Sequence, residues 1–135
     1  MGYFNTITLD LDYEDAVTKV KDTFKSKGFG TLTEIDVRST LREKIGEEME
    51  PYLIIGACNP HLAHRALDAE RQIGTLLPCN VVVRQGDRGV IVDALDPSIM
   101  STLADSPGLA PIAAEAARLM GEALAELSAA HPIRQ

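Results

Sequence analysis

The sequence predicts a single α+β domain over residues 1–135. Strand-like alternation and helix-like spacing follow one another without an internal repeat, and two strand patterns near residue 85 are joined by a glycine-containing turn. The length is that of one ordinary domain, able to bury a core without disulfide or metal staples. The composition is 45% hydrophobic and 24% charged with no Trp, so the core is expected to be aliphatic.

Ile7, Leu9 and Leu11 alternate with Thr6, Thr8 and Asp10, the period of a half-buried first strand. Asp12 then stands as an N-cap, and Tyr13, Ala16, Val17, Val20 and Phe24 lie on one helical face. Gly28 closes that helix. With Gly28 at C′, Phe29 is C″ and Phe24 is C3, the pair that touches in a Schellman ending.

A second strand is expected from Thr31 to Val37, followed by a short helix capped by Ser39, carrying Leu41 and Ile45 and ended by Gly46. Glu47-Glu48-Met49-Glu50 reads as a solvated turn. The run from Tyr52 to Cys58 lacks polar alternation, as in a central strand covered on both faces. Asn59-Pro60 pairs a strong N-cap with the residue favoured at N1, so a helix is expected from there to about Gln72, burying Leu62, Ala66 and Ala69.

After a linker over 73–77, Asn80–Arg84 and Val90–Leu95 read as a β-hairpin whose turn takes positive φ angles at Gly86 and Gly89. The stretch from Asp96 to Pro111 is expected to be irregular. From Pro111 the stripe Ile112, Ala116, Leu119, Met120, Ala123, Leu124 and Leu127 predicts a long amphipathic helix lying across the sheet.

A formal charge of -7 opposes nucleic acid and acidic membrane surfaces, and no Lys/Arg run offsets it. The longest apolar stretch is strand-sized, too short to cross a bilayer. Two cysteines are too few for a secreted disulfide framework and no leader pattern is seen, so a reducing cytoplasm is the expected compartment. Met1-Gly2 through Thr6 fits the myristoylation pattern formally, but Phe4 onward already reads as a strand.

The pattern Tyr52-x-x-x-Gly56-Ala57-Cys58-Asn59-Pro60, with Ala63, Ala66-Leu67, Glu70, Ile73-Gly74 and Leu76-Leu77-Pro78-Cys79-Asn80-Val81-Val82-Val83, resembles the prokaryotic family called domain of unknown function 302. Gly28-Phe29-Gly30 and Asp93-x-x-Asp96-Pro97 extend the resemblance over nearly the whole chain. It implies one domain with a β-α-β4-α layout, an antiparallel sheet backed by helices with helical insertions, similar to the TATA-binding-protein-like arrangement, and a homodimer. It implies no activity, brings no agreed catalytic residues, and leaves any cofactor unassigned.

The antiparallel topology implied by the resemblance puts Cys58 and Cys79 at the same end of the sheet, whereas parallel strands would hold them a strand length apart. The ordinary reading makes both cysteines small apolar fillers. Beyond it stands a non-catalytic module binding a small apolar or thiol-reactive ligand near Cys58, Asn59, Cys79, Asn80 and Glu70. A thiol-dependent enzyme or redox carrier would instead use Cys58, before a helix N-terminus, as nucleophile and Cys79 as resolving thiol. A zinc or copper site would draw on Cys58, His61, His64 and Cys79. No nucleophile elbow or evident carboxylate pair supports hydrolytic chemistry.

Overall fold

Five strands form one sheet in the order β1-β5-β4-β3-β2, and every neighbouring pair is antiparallel. The computed structural model describes residues 2–134. Along the chain these are β1 (Phe4–Leu9), α1 (Tyr13–Ser26), β2 (Gly30–Asp36), α2 (Val37–Ile45), β3 (Tyr52–Cys58) and α3 (Pro60–Ala69). A 3-10 segment (Arg71–Leu76) leads to β4 (Cys79–Gln85) and β5 (Val90–Leu95), then α4 (Ile99–Ala104), a 3-10 turn (Pro107–Leu109) and α5 (Ala110–Ala130). The expected β-α-β4-α layout is present, with α2, α3 and α4 as the insertions.

The core occupies one face of the sheet. Val81 and Val83 of β4 and Val90, Val92 and Ala94 of β5 point into it, as the strand period requires. They meet Ala16, Val20 and Phe24 of α1 and the Met120, Ala123 and Leu127 stripe of α5. The opposite face carries Phe4, Asn80 and Ile35, all exposed. The double coverage expected for β3 is therefore corrected. Its apolar run buries Ile55 and Ala57 on the helix side, while Ile54 is only half-buried between its register partners Val82 and Ile35.

Local chemistry sets the boundaries. The Schellman ending of α1 forms as expected: Phe29 N donates to Phe24 O and Gly28 N to Lys25 O, both at 2.9 Å, with Gly28 at φ 91°. Asp12 takes the N-cap position of α1, but its carboxylate makes no capping bond. The cap of α2 falls three residues before the expected Ser39, because Asp36 accepts from Ser39 N at 3.0 Å and is the cap. Gly46 ends it in the left-handed region, as expected.

Helix α3 stops at Ala69, and 71–76 is a 3-10 segment rather than the end of that helix and an open linker. The stretch read as irregular contains α4 and the second 3-10 turn, which bury Met100 and Leu109. In the hairpin, the two glycines serve space rather than φ: only Gly28 and Gly46 have positive φ among the described glycines. A Cβ on Gly89 would lie 2.5 Å from Leu9 O, and one on Gly86 would lie 2.6 Å from Ile91 Cδ1.

Candidate functional site

The β3–β4 register sets Ala57 opposite Cys79, so Cys58 and Cys79 do lie at the same end of the sheet. Cys58 closes β3 and is half-buried, while Cys79 opens β4 and is 6% exposed. Both thiols are free. Burial pushes the Cys79 thiol up to about 11, and the neighbouring Cys58 adds in the same direction. At neutral pH Cys79 is thus a neutral wall group rather than a thiolate, which works against its use as a resolving nucleophile.

Between this sheet end and the helices lies a cavity of about 320 Å³. Its floor includes Ala57, Cys58 and Cys79; α3 contributes Leu62 and Ala66, and α5 contributes Ile112 and Ala116. Met100 and Leu109 line it from the segment before α5, and the exposed Leu32 lines it as well. Alanine at 63, 66, 113 and 116 leaves room that larger core side chains would fill.

Asn59 is the polar side chain on the wall, and it already has a partner. Its Oδ1 accepts from Leu62 N at 3.2 Å, the capping bond expected of the Asn59-Pro60 pair. Its Nδ2 lies 2.9 Å from where a Cβ on Gly28 would stand, so the cap of α3 rests on the end of α1.

The other sequence candidates are dispersed. Asn80 is on the opposite face of the sheet, lining a separate hollow with Tyr52, Arg84 and Asp93. There Arg84 Nε donates to Asp93 Oδ2 at 2.8 Å, and Thr6 Oγ1 donates to Asp93 Oδ1 at 2.6 Å. Glu70 caps the C-terminus of α3 through its backbone N–H, is half-buried, and is not on the cavity wall. His61 and His64 are exposed on α3, where His64 Nε2 approaches Asp68 Oδ2 at 3.7 Å. Among the described residues no three His, Cys, Asp or Glu side chains gather as a metal cluster.

Sequence reading missed the wall formed by Met100 and Leu109, which sit among Pro, Ser and Asp where no helical or strand period is visible. The alanines at i and i+3 on α3 and α5 were the available signal, since small residues facing each other across a core leave space.

No helix among the described residues is long and apolar enough to cross a membrane. No curated protein matches the chain. A crystal structure of an uncharacterized conserved protein DUF302 from Bacillus stearothermophilus is similar at a TM-score of 0.87 and 25% identity, covering 94% of this chain and 99% of that one. The family model described as domain of unknown function DUF302 matches residues 5–127, and the chain belongs to that family.

Proposed function

We propose that this domain is a non-catalytic binding module that takes a small apolar ligand between the sheet and helices α3 and α5, against Cys58 and Cys79. The observation that carries the reading is the cavity itself: about 320 Å³, lined by apolar side chains apart from Asn59, within the lower range of ligand pockets at roughly 300–1,000 Å³. Burial of an apolar molecule there gains hydrophobic free energy without asking the ligand to satisfy buried polar groups.

The test is fluorescence titration with the neutral probe N-phenyl-1-naphthylamine. Saturable binding is expected, weakened at least about tenfold in Ala116→Leu, whose larger side chain projects from the wall. Absence of saturable binding, or unchanged affinity in a folded Ala116→Leu protein, would sink the reading.

A homodimer belongs to the same proposal. Strand β2 is a sheet edge with Leu32 at 64% and Ile35 at 50% exposure, and a free edge bearing apolar side chains invites a second strand. Light scattering is expected to give a dimer that Ile35→Lys converts to monomer; a monomeric wild-type protein overturns this part alone. The free thiols suit a reducing compartment, and the cytoplasm is the one we assign.

A further inference from the structure

The chemistry of the cavity wall narrows the ligand class, an inference that rests on the binding-module reading above. Helix α3 turns Leu62, Ala63, Ala66 and Leu67 to the wall, and His61, His64, Arg65 and Asp68 to solvent. Among the described residues, no charged side chain lines the cavity.

Two cations that flank these elements, Arg65 and Lys27, are committed elsewhere. Arg65 Nη1 pairs with Glu115 Oε2 at 3.2 Å, tying α3 to α5 on their outer side. Lys27, beside Gly28, holds Glu126 at 2.8 Å and Glu122 at 3.7 Å. Asn59 spends its oxygen on capping α3 and its nitrogen lies against Gly28. A charged ligand group carried into the cavity would therefore meet no counter-charge to receive it, on a chain whose net charge is already -7.

Size sets the other bound. An apolar cavity of about 150 Å³ takes benzene, and this one offers about 320 Å³. We infer that the site selects an uncharged apolar molecule of about the bulk of two fused rings, held by shape and dispersion, and disfavours the same skeleton with a carboxylate carried into the cavity. The sulfur atoms of Cys58 and Cys79 then act as soft, polarizable wall atoms against the molecule, without a bond forming.

The experiment compares naphthalene with 2-naphthoate on the full chain at neutral pH, by naphthalene fluorescence and by displacement of N-phenyl-1-naphthylamine. The absence of Trp leaves that signal clear. Naphthalene is expected to bind and 2-naphthoate to bind at least about a hundredfold more weakly, the factor expected when a charge is buried without a partner. In Ala63→Lys, which places an ammonium on the wall, 2-naphthoate is expected to gain at least about tenfold over wild type. Equal binding of the two compounds to wild type overturns this inference and leaves the binding module standing, whereas failure of every probe to bind overturns both.

Discussion

The carboxamide of Asn59 caps α3 through Leu62 and at the same time lies over Gly28, the left-handed residue that ends α1. Two helix termini distant in sequence thus share one close contact, beside the Cys58 end of the cavity. Gly28→Ala is expected to cost about 1–3 kcal/mol, because its positive φ disfavours a side chain and the new Cβ meets Asn59. Asn59→Ala alone should cost about 1 kcal/mol through the lost cap. Urea denaturation of the double variant is expected to show non-additivity, with Gly28→Ala cheaper once the Asn59 side chain is gone. Strict additivity would show that the contact carries no energy.

The buried thiol gives a pH signature. Cys79 rises from 9.0 to about 11 in the folded protein, so between those values the native state holds a proton that the unfolded chain has lost. Unfolding free energy therefore falls as pH rises through about 9 to 11, by about 2–3 kcal/mol from this group. Tyr13, raised to about 12 by burial and then by Asp36, acts in the same direction at higher pH. Cys79→Ala is expected to flatten the alkaline loss seen in urea midpoints, and iodoacetamide is expected to modify Cys79 slowly below pH 9. Rapid modification of Cys79 at pH 7 would restore the redox reading.

Two kinds of glycine are distinguishable by substitution. Gly46 has φ 69° with open space around it, so Gly46→Asn, a residue that tolerates this region, should cost only a few tenths of a kcal/mol. At Gly89 a Cβ meets the backbone oxygen of Leu9, which cannot rotate away. Gly89→Ala is expected to lower stability by about 2 kcal/mol or more, with the β1–β5 pairing at Leu9 and Val90 disturbed in amide exchange. A neutral Gly89→Ala would contradict the close approach.

On the open sheet face, the carboxylate of Asp93 is held by both Thr6 and Arg84, and its side chain is 19% exposed. Asp93→Ala leaves the half-buried Arg84 guanidinium without that partner and is expected to destabilise by about 1 kcal/mol, while Thr6→Val should cost less. Thermal denaturation read by circular dichroism orders the two. A larger loss in Thr6→Val would place the weight of the network on the hydroxyl.

Much of the fold was legible because it is written locally. Gly28-Phe29 after Phe24, Asn59-Pro60 before Leu62, and the alternation in 80–84 and 90–95 each carry a boundary and its mechanism in a few residues. The cap of α2 was misplaced because Asp36 and Ser39 are both good caps, and only the built backbone brings Ser39 N to the Asp36 carboxylate. The one-sided cover of β3 was invisible for another reason: Ile54 is apolar like Ile55, and which face receives helices is a tertiary outcome. Of the residues singled out in the sequence, Cys58, Asn59 and Cys79 line one cavity, but Asn80 next to Cys79 turns to the other face by strand alternation. Glu70 lies past the last turn of α3, where the change to a 3-10 segment ends the helical face assumed for it.

The alanines of α3 and α5 also bear on how this domain keeps its shape. Ala66 and Ala116 are both core residues and cavity wall, so the same packing that holds the helices on the sheet borders the cavity volume. On the binding reading proposed above, a guest in that volume would stand in for a missing side chain, and because it would bind only where those helices are assembled, its concentration would enter the folding equilibrium directly. The lifetime of the folded chain would then be set partly from outside the polypeptide, with the guest acting as a removable piece of its interior.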